Sequence, residues 1–375
     1  MKQPKTTLEP NKARHLATSG TAGRTFTVVN DEPKLSLLVR ELPWTHKPSF
    51  LVKAFLLGLA LLYTVYSYAQ IGGGLEGSVV TLAIDPQTPT TLYAGTGGGI
   101  YKSTDGGKRW TAMNTDLTDL NVEALAIDPH TPAILYVGTY GGVFKSTDSG
   151  GGWTPINVGL PINTHPYTLV IDPLKSTTLY MGSGDGIFNS IDGGKQWVTI
   201  NTGLTDVKTT GLVIHPTTPV ILYVGTLDHG VFQSTNGGKN WTALNTGLTN
   251  LQIRALAIVR QFPQTLYAGT GGGIFTSTDG GKHWTACHKG FPTAADITSL
   301  VIDPTNPQIL YAGTDQGVFK STNACKQWIT INKGLTDSTI EAVVLDPKTP
   351  LTLYAGTANG LAKSVNGGES WTPAR

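Results

Sequence analysis

Tryptophan recurs along most of this chain with a nearly constant period. Seven of its eight tryptophans, from Trp110 to Trp371, are separated by 43 or 44 residues. Seven tyrosines, from Tyr93 to Tyr354, keep the same period. Two residue types with one period indicate seven copies of one supersecondary unit, and this spacing is typical of propeller blades or helical-pair solenoids. The secondary structure within one copy decides between them.

The second copy contains short runs rich in Val, Ile, Thr, Tyr and Phe, bounded by Gly, Pro, Asp or Asn, and no helical apolar period. This pattern predicts strands at about 122–128, 134–139, 142–146 and 152–157. We therefore predict an all-β chain, a single seven-bladed β-propeller of four-stranded antiparallel blades at 78–375. The 46 glycines fit this fold, since each copy needs glycine in two turns.

The turn between the third and fourth strands carries a specific motif, for example STDGGKRW at 103–110 and STDGGKHW at 277–284. It resembles the Asp-box, also called the bacterial neuraminidase repeat. There the Asp or Asn side chain accepts backbone N–H groups, Gly adopts a positive φ and Trp packs into the blade. The resemblance gives these residues a structural role: Asp105, Trp110, Asp148, Trp153, Asp192, Trp197, Asn236, Trp241, Asp279, Trp284, Asn323, Trp328, Asn366 and Trp371.

Two copies depart from the motif. Ser149 follows Asp148 in the second copy, and Ala324 and Cys325 stand in place of glycines in the sixth. Cys325 predicts strain or altered geometry in that turn. The other cysteine, Cys287, follows the last strand of the fifth copy, and a disulfide needs Cα atoms within about 7 Å. Because the outer edges of neighbouring blades diverge, we expect no disulfide.

The N-terminal part divides into three segments. Residues 1–49 predict a disordered basic leader, 50–69 a hydrophobic segment and 70–77 a linker. Twelve apolar residues followed by Ser67 and Ala69 favour a signal peptide cleaved after Ala69, whereas the full twenty residues would suffice for an uncleaved anchor. A third alternative is a wrongly assigned start codon or a segment buried in the fold. The first two alternatives leave everything after the segment exported, extracellular or periplasmic, with the N-terminus of an anchored form in the cytoplasm.

Functional residues are expected where the copies differ, on the face that binds ligands in known propellers. One variable series lies five residues before the aspartate of the Ile-Asp-Pro turn: Val80, Glu123, Tyr167, Thr210, Arg254, Thr298 and Glu341. With the turns between the second and third strands, it supplies the ligand-binding candidates Tyr140, Tyr167, Asp185, Asp228, His229, Arg254, Asp315 and Gln316. The alternative is that they are ordinary solvated turn residues.

The Asp-box resemblance extends to two groups of enzymes. Sialidases hold a substrate carboxylate with three arginines from different blades, and the arginines after residue 70 cannot supply that triad. Xyloglucan hydrolases have similar repeats but use two propellers with a catalytic carboxylate on each. In this chain Glu123 and Glu341 are the candidate pair, because only one blade separates theirs around the ring.

Other Asp-box relatives suggest binding instead of catalysis. They include sortilin-type receptors and the photosystem II assembly factor, a single exported seven-bladed propeller whose arginine patch this chain lacks. We expect a non-catalytic propeller that binds a protein or polysaccharide, without metal or cofactor and as a monomer.

A net charge of +2 gives no support to nucleic-acid binding. Membrane contact is expected only through an uncleaved 50–69. Ring closure is expected to use packing, not a shared strand.

Overall fold

The computed structural model describes Leu75 and residues 77–205, 207–292 and 295–374, all within one compact unit. These residues form seven antiparallel sheets of four consecutive strands each. The all-β fold and the seven-bladed β-propeller are confirmed. The predicted leader 1–49, the hydrophobic segment 50–69 and most of the linker 70–77 lie outside the described residues. Within the described ranges, no helix is long and apolar enough to cross a membrane.

The strands are numbered β1 to β28 in chain order, four to a blade, and are called A to D from the axis outwards. Blade 1 has β1 Val79–Ile84, β2 Leu92–Thr96, β3 Gly99–Ser103 and β4 Thr111–Ala112; blade 2 has β5 Val122–Ile127, β6 Leu135–Thr139, β7 Gly142–Ser146 and β8 Thr154–Pro155; blade 3 has β9 Pro166–Ile171, β10 Leu179–Ser183, β11 Gly186–Ser190 and β12 Val198–Thr199. Blade 4 has β13 Thr209–Ile214, β14 Leu222–Thr226, β15 Val231–Ser234 and β16 Thr242–Ala243; blade 5 has β17 Ile253–Ile258, β18 Leu266–Thr270, β19 Gly273–Ser277 and β20 Thr285–Ala286. Blade 6 has β21 Ile297–Ile302, β22 Leu310–Thr314, β23 Gly317–Ser321 and β24 Ile329–Thr330; blade 7 has β25 Ile340–Leu345, β26 Leu353–Thr357, β27 Gly360–Ser364 and β28 Thr372–Pro373.

Strand B is the structural centre of each blade. All five of its residues are buried in every copy, because both faces of the sheet pack against neighbouring blades. Its glycine permits this approach: a Cβ at Gly225 would collide with the Ile253 side chain of the next blade. Strand D is shorter than predicted, with two exposed residues in blade 2 instead of six, because the outer edge has one partner strand and no covering layer.

The Asp-box turns have the predicted local geometry. Oδ1 of Asp105 accepts the hydroxyl of Ser103 at 2.9 Å and the backbone N–H groups of Lys108 and Arg109 at 3.0 Å. Gly106 and Gly107 have φ values of 72° and 88°. These contacts use the acceptor capacity of the carboxylate inside the turn, so its role is structural.

The two irregular turns keep the same backbone path without glycine at every position. Ser149 has φ 63°, Ala324 has φ 53° and Cys325 has φ 72°, values that L side chains rarely adopt. The prediction of strain at Cys325 is thus confirmed.

The expectation that the cysteines stay apart is wrong. Cys287 and Cys325 form a disulfide with Cα atoms 5.4 Å apart. The reason is the course of the chain: the residue after strand D turns inward and meets the second glycine position of the next Asp-box. The same pair of positions meets at Ile331 and Gly368, where a Cβ on the glycine would overlap the isoleucine. The disulfide therefore replaces an apolar contact between consecutive blades.

The blade tryptophans also join neighbours. Trp197 and Trp241 are almost fully buried, and each donates its indole N–H to a carbonyl of the preceding blade, that of Ile156 at 2.8 Å and that of Ile200 at 2.7 Å. Trp110 differs, since its indole N–H donates to Gly107 within its own turn at 3.2 Å. Among the described residues, the junction between blades 7 and 1 therefore lacks the tryptophan hydrogen bond found at the other junctions.

Among the described residues ring closure occurs by packing, as expected, because no strand there is shared between blades 1 and 7. Lys363 and Tyr354 both donate to the carbonyl oxygen of Gly106, at 2.8 and 3.2 Å. Leu75 adds a contact that was not predicted: it packs with Trp110 and Tyr354 in one buried cluster. Leu75 thus contacts both the last blade and the first.

Candidate functional site at the channel mouth

Two opposite faces of the ring can be told apart from the turn contacts. On one face the Asp-boxes form hydrogen bonds with the turns between strands A and B. For example, the N–H of Gly106 donates to the carbonyl of Thr90 at 2.9 Å. On the other, the residues after strand D bond the turns between strands B and C, as Asn114 does to the carbonyl of Gly98 at 3.2 Å. We call these the Asp-box face and the variable face.

Each strand A has a β-bulge at its variable-face end. The register with strand B skips one residue in every blade, for example Glu123 between Val122 and Ala124, and Arg254 between Ile253 and Ala255. A bulge redirects the side chain of the unpaired residue and is frequent beside binding sites. The bulged residues are the variable series noted in the sequence: Val80, Glu123, Tyr167, Thr210, Arg254, Thr298 and Glu341.

All seven bulged residues line one cavity of about 490 Å³ on the channel axis. Four further residues complete the lining: Lys208, Leu227, Asp296 and Ile297. The cavity therefore carries three carboxylates and two cationic side chains beside one tyrosine. Its volume is within the range of small-ligand sites.

The surroundings of Glu341 in this cavity change its pKa. Burial raises the pKa of Glu341, and the nearby negative charges of Asp337 and Glu123 raise it further. Both side chains are half-buried on strands A of blades 7 and 2. A carboxyl that retains its proton more readily can donate a hydrogen bond as well as accept one.

An aromatic cluster borders the cavity at blades 2 and 3. The rings of Tyr140 and His165 stack with centroids 4.7 Å apart and an interplanar angle of 9°. The charge of Glu123 raises the pKa of Tyr140. Tyr140 and Tyr167 are 45% and 44% exposed. These rings offer flat surfaces on which a sugar or an aromatic side chain can stack.

The two threonines of the bulged series serve the ring itself. The hydroxyls of Thr210 and Thr298 donate to the backbone carbonyls of Ile253 and Ile340 in the following blades. They therefore connect neighbouring inner strands. The charged and aromatic members of the series are the side chains available for ligand contact.

The remaining candidates lie in turns between strands B and C and do not line the cavity. Asp185, Asp228, His229, Asp315 and Gln316 are all exposed. Asp315 accepts the backbone N–H of Asp296 at 3.0 Å through Oδ1, so its carboxylate supports a cavity residue. The ligand-binding role of these residues stays a prediction.

Sequence reasoning missed several parts of the site. Lys208, Asp296 and Ile297 line the cavity but precede the bulge position, so the count from the Ile-Asp-Pro aspartate did not reach them. His165 lies outside the variable series, and only the structure shows its stack on Tyr140. Among the described residues no group of three His, Cys, Asp or Glu side chains could hold a metal ion.

Comparison with known proteins agrees with this architecture. A family model described as sortilin, neurotensin receptor 3, matches residues 229–348. The crystal structure of the GH74 xyloglucanase from Xanthomonas campestris matches with a TM-score of 0.70 and 19% identity, over 80% of this chain and 55% of that one. This chain thus spans about half the length of the xyloglucanase. No curated protein sequence matches it significantly.

Two other solved structures resemble the chain. YCF48 bound to D1 peptide matches with a TM-score of 0.61 and 12% identity, over 78% of this chain and 94% of that one. The extracellular domain of BT4673 from B. thetaiotaomicron matches with a TM-score of 0.63 and 19% identity, over 78% and 39%. At these identities the likeness establishes the fold, and it confirms the Asp-box propeller recognised in the sequence.

Proposed function

We propose that this chain is an exported, non-catalytic propeller that binds a protein or a glycan through the channel-mouth cavity of its variable face. The observation that carries the proposal is the bulge series: seven positions that share one backbone geometry but carry five different residue types all line one cavity. Where repeats keep their architecture and vary at one point, the variation provides a specific binding surface.

The side chains indicate the kind of ligand. Glu123, Asp296 and Glu341 face Lys208 and Arg254 around one cavity. Water alone solvates such charges well, so a ligand that displaces it must offer charges or hydrogen bonds in return. A peptide segment or a charged glycan meets this condition, and the aromatic rings beside the cavity add stacking area.

Export is part of the proposal. It is supported by the disulfide between Cys287 and Cys325, because disulfides persist mainly in oxidising compartments. The hydrophobic stretch at 50–69 supports it independently. N-terminal sequencing of the exported protein tests both predicted forms: a start at Gln70 supports cleavage, and an intact leader supports the anchor.

A matched pair of variants tests the cavity on peptide and glycan arrays. The cavity variant Glu123→Gln/Arg254→Gln removes one negative and one positive charge. The control, Glu369→Gln/Arg109→Gln, removes the same charges from exposed Asp-box positions on the opposite face. We expect a subset of array ligands to bind the parent and the control with similar affinity. The cavity variant should bind the same ligands at least tenfold more weakly. Equal binding by both variants, or no ligand on either array, would overturn the proposal.

Glycoside hydrolysis is the second candidate, and one observation favours it. Glu341 has a raised pKa beside Glu123, and an acid with a raised pKa near a second carboxylate is the arrangement that glycosidases use. The assay is reducing-sugar release from a panel of β-glucans. Release that Glu341→Gln and Glu123→Gln each abolish, with the fold intact, would replace the binding role by an enzymatic one.

A further inference from the structure

A lysine contact recurs at four of the junctions between blades. A lysine on strand C donates to the carbonyl oxygen of the first glycine position of the next Asp-box and lies over the tyrosine of its own strand B. The N–O distances are 2.8–3.2 Å and the distances to the ring centroids 5.0–5.4 Å. The four residues are Lys102, Lys145, Lys320 and Lys363. Each is attracted by the turn aspartate of its own blade, as Lys320 is by Asp303.

The junction between blades 5 and 6 lacks both this lysine and its aspartate, as does the junction between blades 4 and 5, where Gln233 and His215 occupy the two positions. Thr276 stands at the lysine position and Val259 at the aspartate position. The Thr276 hydroxyl donates to the carbonyl of Leu266 in its own blade at 3.3 Å and so does not replace the lysine contact with blade 6. A cavity of about 700 Å³ lies at this junction, and we call it the 5–6 groove.

Several departures from the repeat meet in the 5–6 groove. Val259, Thr276, Cys287, His288 and Ala324 come from separate stretches of two blades, each differs from its counterparts in most other copies, and all five line the groove. His288 stands where five blades have an asparagine that accepts a backbone N–H of strand C. Its Nδ1 is buried without a hydrogen-bond partner among the described residues.

The lining of the groove defines the chemistry of an occupant. The 62% exposed ring of Phe262 provides apolar surface, and the buried side chains of Val259 and Tyr267, each 2% exposed, line the groove beside it. Lys289 and Lys326 provide positive charge, and no carboxylate is among the described residues that line the groove. An apolar wall beside uncompensated cations is complementary to a molecule with an apolar body and an anionic end.

We propose that the 5–6 groove binds a small-molecule carboxylate with an aromatic or aliphatic body. The body lies against Phe262 and Val259, and the carboxylate lies between the ammonium groups of Lys289 and Lys326. This site is on the side of the ring, between strands B to D of blade 5 and the Asp-box of blade 6. It is therefore separate from the channel-mouth cavity, and either site can exist without the other.

Calorimetric titration of the full chain with 4-phenylbutyrate, decanoate and the neutral 4-phenylbutanamide tests the proposal. We expect at least one carboxylate to bind with a Kd below about 1 mM and 4-phenylbutyrate to bind at least fivefold tighter than its amide. A peptide containing tryptophan next to aspartate is the fourth probe. Binding of the peptide alone would assign the groove to a polypeptide partner and overturn the small-molecule proposal, as would binding of none of the probes.

Two variants and one control locate the binding. Val259→Asp/Thr276→Lys rebuilds the pair found as Asp303 and Lys320 in blade 6, fills the groove and leaves the net charge unchanged. We expect at least tenfold weaker binding of the carboxylates to it. Its melting temperature establishes that it folds, and unchanged affinity in the folded variant would place the binding elsewhere.

The charge variant is Lys289→Gln/Lys326→Gln, which should bind 4-phenylbutyrate and its amide equally. The control is Lys333→Gln/Lys282→Gln, because these lysines occupy the same repeat positions in neighbouring copies but do not line the groove. We expect the control to keep the preference for the carboxylate. Loss of that preference in both variants, or in neither, would refute the role assigned to Lys289 and Lys326.

Discussion

The disulfide between blades 5 and 6 provides a quantitative test of how the repeats are joined. Two double variants remove it in different ways. Cys287→Ser/Cys325→Ser leaves a polar pair in the contact. Cys287→Ile/Cys325→Gly installs the pair that joins the next two blades as Ile331 and Gly368.

The expected losses of stability follow from loop length, backbone conformation and burial. The cysteines are 38 residues apart, and a cross-link over such a loop contributes about 4 kcal/mol on a chain-entropy estimate. The serine variant loses this and keeps a side chain at a φ of 72°. The isoleucine–glycine variant recovers about 1–2 kcal/mol by relieving that conformation and about 1.5–3 kcal/mol by burying isoleucine. We therefore expect the free energy of unfolding of the isoleucine–glycine variant to lie within about 1.5 kcal/mol of that of the parent. We expect the free energy of unfolding of the serine variant to be about 4 kcal/mol lower than that of the parent.

The assay is equilibrium unfolding in guanidinium chloride without reductant, followed by tryptophan fluorescence. Six of the seven blade tryptophans donate to a neighbouring blade, so the signal reports the junctions. Adding reductant to the parent should reproduce the loss seen in the serine variant. Equal destabilisation of the two double variants would refute the equivalence of the disulfide and the apolar contact.

Three further predictions concern the ring and the channel mouth. Trp241→Ala should cost about 3–5 kcal/mol in the free energy of unfolding and Trp110→Ala about 1 kcal/mol less, because only the former donates to another blade; chemical denaturation measures the difference. Deletion of 333–375 should unfold the whole domain, since closure requires blade 7 against blade 1, and a cooperative melt at the parent temperature would contradict this. The raised pKa of Glu341 means that folding favours its protonated form, so its ionisation destabilises the fold as pH rises through and above the unfolded value. Glu341→Gln should therefore raise the melting temperature at pH 7 and leave it nearly unchanged at pH 3, and an equal effect at both pH values would contradict the raised pKa of this half-buried carboxyl.

The architecture was accessible from the sequence because it depends on local rules repeated seven times. Strand periodicity, the glycines of the turns and the Asp-box residues each act within a few neighbours, as the contacts of Asp105 show. Because the same weak local pattern occurs in seven copies, it was sufficient to predict four strands in each copy. Only the outer strand was overestimated, since its length depends on what covers the edge.

The sites were less accessible because they depend on which positions meet across blades. Counting from the turn aspartate identified the seven bulged residues, yet nothing in that count shows that a bulge turns them toward the axis. The cysteines illustrate the same limit. Cys287 and Cys325 stand at the positions of an isoleucine and a glycine in the next pair of copies, but the contact between those positions is visible only in the structure.

For this protein the sequence by itself determined the number of blades, the strands in each and the residues that build the turns, because hydrophobic period and turn chemistry are properties of short segments. The tertiary structure alone decided how the variable positions are grouped: the bulged residues around one axial cavity, and Val259, Thr276 and Ala324 around one lateral groove. Ring closure brings residues of different copies together at distances that no single copy specifies. The physical reason is that each blade buries its faces only against its neighbours, so every functional surface of the ring is shared between copies.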